Sequence, residues 1–220
     1  MAVTTYAGLS VAVYRRLNRT AETTVYDDCL GLTEAEINRR LALAPVRPMH
    51  TVATATVSTE YQATPTDILD VDSLQLSYSS DTFRVLATAP QNLASMAEAS
   101  DTTGRPQFYA QVGVQFRFWP APDQAYTQNL TYWAKVPGLS ASATTNWLSL
   151  AHPDVYFHGL LAHLCQEYFD EKGADTHAQL FNLALQKVLD AYPRRPDKMP
   201  LRSEFIALDS RRYGFDIVNG

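Results

Sequence analysis

Apolar residues recur every three to four positions near both ends of the chain and every second position in its middle. Leu9, Val13 and Leu17 stand four apart behind Thr4 and Thr5, whose hydroxyls suit a helix cap. A second helical pattern starts near Thr24 and runs through YDDCLGLTEAEINRRLAL, with Asp27 placed as the acidic partner of a capping box. Gly31 either breaks or weakens this helix, since Thr33, Glu34 and Glu36 offer a fresh start, and Pro45 and Pro48 close the helical region.

From about residue 51 the period changes to two. Alternation runs over residues 52–57 and again over Leu74, Leu76 and Tyr78; residues 90–100 read as a short helix or loop. Two aromatic strands, residues 107–112 and 114–119, join at Gly113, with Phe116 and Phe118 on one face and Arg117 and Trp119 on the other. PAPD then returns the chain to a strand in which Leu130, Tyr132, Ala134 and Val136 alternate with Thr131, Trp133 and Lys135, so that a three-stranded antiparallel meander is expected.

Residues 130–168 organise the rest. The strand ends at Pro137-Gly138, a polar linker over 140–145 lies on the surface, and Asn146-Trp147-Leu148 re-anchors the chain. Pro153 suits a first helical turn and Asp154 the positive end of the helix dipole; Leu160, Leu161, Leu164 and Tyr168 continue a buried stripe until Gly173 stops the helix. Asp175 then caps a last helix with Leu185, Val188 and Tyr192 on its inner side, ended by Pro193. The fold class expected is α+β. A helical bundle from residues 1–50 and 140–192 carries an antiparallel β-rich insertion at 51–139, and an extended C-terminal arm follows at 193–220. That arm holds six basic and four acidic residues with scattered anchors such as Phe205, Tyr213 and Phe215, too few to form a core and too many for a solvated tail.

Several motifs, in this order, resemble phage adaptor proteins that connect a portal to a tail. Residues 4–19 are similar to the family's opening helix, which ends in Leu-Asn-Arg, and Ala35-Glu36-Ile37-Asn38-Arg39 to its Ala-x-Ile-Asn-Arg. Pro65, Asp67, Ile68 and Leu69 match a Pro-x-Asp-hydrophobic-Leu turn. The densest match is Tyr132, Trp133, Lys135, Pro137, Leu139 and Ser140, then Asn146, Trp147, Leu148, Pro153, Asp154 and Tyr156. The resemblance covers roughly residues 4–170 and departs mildly at Thr64, where Leu is usual, and at Trp133, where Tyr is. It implies a virion structural protein at the head-to-tail interface, assembled in the host cytoplasm. It further implies a homo-oligomeric, commonly dodecameric ring that docks on the portal protein and receives a tail or nozzle protein. Double-stranded DNA would pass through the lumen without sequence-specific binding.

Composition narrows the alternatives. A hydrophobic content of 46% with 19% charged residues describes a globular protein. No apolar run spans a bilayer and the N-terminus lacks a basic leader, so an intracellular product with no membrane step is expected. The formal charge of -5 opposes duplex binding by phosphate neutralisation, yet suits a channel wall that DNA slides past. Cys29 and Cys165 lie on apolar helix faces and read as buried thiols.

Candidate chemistry is thin. His158 and His163 stand about 140° apart round a helix, so only His163 and Glu167 share a face, with His152 and Asp154 nearby; ordinary polar positions are the simpler reading. Asp27-Asp28 and Asp70-Val71-Asp72 read as solvated acids rather than a glycosidase pair, and neither a nucleophile elbow nor a phosphate loop is present. No catalytic residue, metal or cofactor is expected. The aromatic set Tyr109, Phe116, Phe118, Trp119, Tyr126, Tyr132 and Trp133 divides into core and an outward group of Tyr109, Trp119 and Trp133. Interface candidates are therefore Trp119, Trp133, Trp147, Arg194, Arg195, Arg202, Phe205, Tyr213 and Phe215. A carbohydrate-binding accessory virion module is the alternative, and a small hydrolase using Asp67, Asp70 or Asp72 a more distant one.

Overall fold

Helix α1 (Tyr6–Leu17) starts where the side chain of Thr5 accepts the Gly8 N–H and ends at Asn18, which takes the left-handed conformation. The computed structural model to which it belongs describes residues 3–100 and 102–192. Helix α2 (Thr23–Leu43) passes unbroken through Gly31, which lies on its exposed side and costs no buried contact. Its N-cap is Glu22 without a side-chain bond, and Asp27 instead accepts the hydroxyl of Tyr6, so the expected capping box is replaced by an α1–α2 contact.

After a single 3-10 turn at Arg47–Met49 come β1 (His50–Val57), β2 (Tyr61–Ala63), β3 (Ile68–Tyr78), β4 (Asp81–Ala87) and helix α3 (Pro90–Ala99). Then follow β5 (Thr103–Gly104), β6 (Phe108–Val112), β7 (Gln115–Trp119), β8 (Ala121–Pro122) and β9 (Tyr126–Ala134). Seven strands form one sheet in the order β1-β9-β3-β4-β6-β7-β2, and β5 pairs with β8 alone.

Two expectations about this region are corrected. Strands β6 and β7 do form a hairpin, but β9 does not continue it; it enters between β1 and β3, antiparallel to both. Its side chains suit that place: Leu130, Tyr132 and Ala134 bury one face in the sheet core while Trp133 packs on the helical core, so β9 is covered on both faces. The sheet is also mixed rather than antiparallel, because β4 and β6 pair in parallel. Helix α3 makes the crossover that parallel neighbours require and buries Leu93.

The chain closes with α4 (Trp147–Ala151), α5 (Pro153–Glu167) and α6 (Glu171–Ala191). Pro153 occupies the first turn of α5 with Asp154 beside it. Gly173 does not stop α5. That helix ends at Glu167, Phe169 turns the chain with φ 58°, and Asp170 caps α6 by accepting the Gly173 N–H at 3.0 Å. Gly173 is needed for this cap, since a Cβ there would lie 2.2 Å from the Asp170 carboxylate.

Two apolar cores result. One gathers α1, α2, α5 and α6 around Leu9, Ile37, Tyr156, Leu160 and Val188, and draws in Trp133, Val136 and Leu139 from the end of the sheet. The other lies inside the curled sheet around Leu74, Leu76, Phe116, Phe118 and Leu130. Burying each such side chain contributes about 1.5–3 kcal/mol. At Gly159 the helices approach so closely that a Cβ would lie 2.5 Å from Thr33 and 3.1 Å from the Phe181 ring.

Candidate functional site

Several of the residues that carried the resemblance, Asn38, Asp67, Tyr132, Lys135, Pro137, Leu139, Asn146 and Tyr156, meet at one joint, where β9 leaves the sheet and enters the helices. Asn38 accepts the Val136 N–H at 2.8 Å and Glu34 accepts the Leu139 N–H at 2.6 Å, so α2 grips the departing strand twice. Asp67 accepts the Tyr132 hydroxyl at 3.1 Å, and its carbonyl takes the Lys135 N–H at 2.7 Å. Asn146 is buried and fully used. Its Nδ2 donates to the Pro137 carbonyl and to the Tyr156 hydroxyl, while its Oδ1 accepts the Ser149 N–H and its own N–H reaches the Ser149 hydroxyl. This reciprocal capping box starts α4. Burial raises the Glu34 carboxyl above its ordinary value, opposed by the Leu139 bond, and burial also raises the Tyr156 phenol.

The interface candidates fall in different places. Trp119 is half-buried, its ring 6.3 Å from that of Phe108, and its Nε1 finds no acceptor among the described residues. Trp147 is half-buried against Tyr192. Trp133 is only 7% exposed, packed on His50 at 4.7 Å and on the helical core, which leaves little of it for a partner. Tyr109 is likewise buried, because the β6–β7 register sets it opposite Phe118 on the inward face. The outward placement of Trp133 and Tyr109 is thus corrected. Arg194, Arg195, Arg202, Phe205, Tyr213 and Phe215 lie outside the described residues.

Two other surfaces were not evident from sequence. Strand β1 lies at the end of the sheet order, so that only its β9 side is paired among the described residues, and His50, Val52, Thr54 and Thr56 are exposed along it. HTVATATV carries no Lys, acidic residue or Pro, the usual devices that keep a long edge from pairing with another chain. The opposite edge, β2, is three residues long and flanked by an Arg117–Glu60 ion pair at 2.6 Å. The second surface is a groove of about 480 Å³ between α1 and the start of α5, lined by Val3, Ala12, Arg15, Arg16, Pro153, Asp154 and Phe157.

The partner of His158 comes from another helix and not from α5 itself. His158 meets His177 of α6 with Nδ1 atoms 3.2 Å apart and ring centroids 5.3 Å apart, so the nitrogens face each other across one shared N–H···N bond. Only the period of α6 could have hinted at His177. Burial lowers the His158 imidazole, with Asp154 opposing and Lys187 adding; burial, His158 and Arg16 lower His177, with Asp170 opposing. No group of three or more His, Cys, Asp or Glu among the described residues is placed to hold a metal. Cys29 and Cys165 are buried and not disulfide-linked, and burial pushes the Cys29 thiol up to about 11. No helix among the described residues is long and apolar enough to cross a membrane.

Residues 4–203 match the family model described as SU10 adaptor protein. No curated protein matches the chain.

Proposed function

Because the chain belongs to the SU10 adaptor protein family, a phage head-to-tail adaptor family, we propose that it forms a ring that docks on the portal and receives the tail, with DNA passing through its channel. The family makes it a structural virion component. The observation that carries the ring is the bare edge of β1. A long unprotected edge opposite a short, ion-paired one offers two unlike surfaces, and unlike surfaces make the head-to-tail contacts from which rings close. We take the dodecamer as the working subunit number.

The formal charge of -5 supports a lumen that repels phosphate and does not trap DNA. Trp119 and Trp147, with Arg194, Arg195, Arg202, Phe205, Tyr213 and Phe215, remain the residues we assign to contacts with neighbouring copies, portal and tail; Trp133 supports them from below by seating β9 on the helices. The working division is a helical part at 1–50 and 140–192, a sheet part at 51–139 and an arm at 193–220. The sugar-binding alternative is less favoured, because Tyr109, Phe116, Phe118, Tyr126, Tyr132 and Trp133 are all buried and cannot form an open stacking platform.

The test replaces exposed residues of the edge by charge. Val52→Lys with Thr54→Lys should abolish ring formation, read as native mass in the presence of portal, while the variant melts within about 1 kcal/mol of the parent. Rings that form unchanged would remove β1 from the contact.

A further inference from the structure

Helix α6 ends at Ala191, and Tyr192 packs edge-on against His152 at 5.6 Å. His152 immediately precedes Pro153, which lines the α1–α5 groove, so Tyr192, the last described residue before the 28 that follow, lies beside the groove's rim. The groove has apolar walls in Val3, Ala12, Pro153 and Phe157, with two arginines, Arg15 and Arg16, against one carboxylate, Asp154, beside them. Neither arginine has a carboxylate within ion-pair distance among the described residues.

The segment that follows Tyr192 has two halves of opposite character. Residues 193–202 carry Arg194, Arg195, Lys198 and Arg202 against Asp197 alone and contain no aromatic residue. Residues 203–217 hold all the aromatic anchors and three acids, Glu204, Asp209 and Asp216, against Arg211 and Arg212. Twice an aromatic ring adjoins a carboxylate, at Glu204-Phe205 and at Phe215-Asp216. That pairing suits a groove with apolar walls and unpaired guanidinium groups.

We infer that, before assembly, residues 203–217 dock in the α1–α5 groove of their own chain, an aromatic side chain entering it and the neighbouring carboxylate meeting Arg15 and Arg16. The basic half is the tether. Its ten residues, extended, reach roughly 35 Å, more than a return to the rim requires. A tether beginning at the rim also gives the segment an effective concentration on the order of millimolar, which favours its own groove over that of a second copy. Met1 and Ala2, which precede Val3, offer one long apolar side chain and no carboxylate side chain for the arginines. The inference extends the adaptor reading without depending on it, since a chain whose arm never docks on itself can still form a ring.

The experiment is amide hydrogen exchange on the full-length protein, following residues 203–217 at low and high protein concentration. The expected result is exchange at least about tenfold slower than that of an unstructured peptide, independent of concentration. Protection should be lost in Arg15→Glu/Arg16→Glu and restored when Glu204→Arg and Asp216→Arg are added. Exchange at the unstructured rate in the parent protein would overturn the inference. So would protection that grows with concentration, which would make a second copy the occupant, or protection that survives the arginine reversal.

Discussion

Replacing Asn146 by alanine removes the one side chain that ties the exit of β9 to both α4 and α5. The lost N-cap costs about 1 kcal/mol. The Tyr156 hydroxyl loses a donor in a buried site, at about 1–3 kcal/mol for a buried group left unsatisfied, whereas the Pro137 carbonyl belongs to an exposed residue and can turn to water. Together these give about 2–4 kcal/mol, a large share of the roughly 5–15 kcal/mol that holds a typical protein folded. At about 2–4 °C per kcal/mol for a chain of this size, the melting temperature should fall by roughly 5–15 °C in a thermal scan followed by circular dichroism. Asn146→Asp separates the components: it keeps the acceptor for Ser149 but loses both donors and sets a carboxylate against the Pro137 carbonyl. It should therefore be at least as damaging at neutral pH. A melting point within about 3 °C of the parent for Asn146→Ala would refute the reasoning, because it would mean that the joint does not depend on this side chain.

Other perturbations probe the same core. Gly159→Ala, whose methyl would press on Thr33 and Phe181, should cost about 1–3 kcal/mol by chemical denaturation. At Glu34, glutamine keeps an acceptor for the Leu139 N–H and removes a buried charge, so Glu34→Gln should match or exceed the parent at pH 7, whereas Glu34→Ala should lose about 1–3 kcal/mol. The Glu34 contribution has a defined sign: with its folded value raised, the folded state binds more protons, so stabilisation is present in acid and lost as pH rises through that value. His158, His163 and His177 act oppositely. Their folded values lie below the ordinary 6.5, so the unfolded state binds more protons and stability is full above that pH and lost as pH falls through the folded values. Melting points from pH 7.5 to pH 5 should therefore fall more steeply in the parent than in His158→Gln/His177→Gln; equal slopes would remove the pair from the acid response.

Local signals in the sequence were legible and long-range ones were not. Thr5, Pro153 and the alternation through Leu74, Leu76 and Leu130 read correctly because caps and periods depend on neighbours a few residues away. Gly173 misled for a local reason, since a glycine near a helix boundary serves either to end one helix or to make room for the cap of the next. The position of β9 between β1 and β3 was hidden because strand order depends on partners about 50 to 80 residues away, and a hairpin is the cheaper local assumption. For the same reason Trp133 looked outward: alternation shows two faces, but not that helices cover the second. The motif residues Asp67, Asn38, Asn146 and Tyr156 marked a family, yet only the fold shows that they meet at a single joint.

The central claim is assembly on the portal, and the most direct test is the native mass of the full-length protein alone and after mixing with the portal protein of the same phage. The account predicts a stoichiometric complex in which the chain forms a ring on the portal. A chain that stays monomeric in the presence of assembled portal would contradict it.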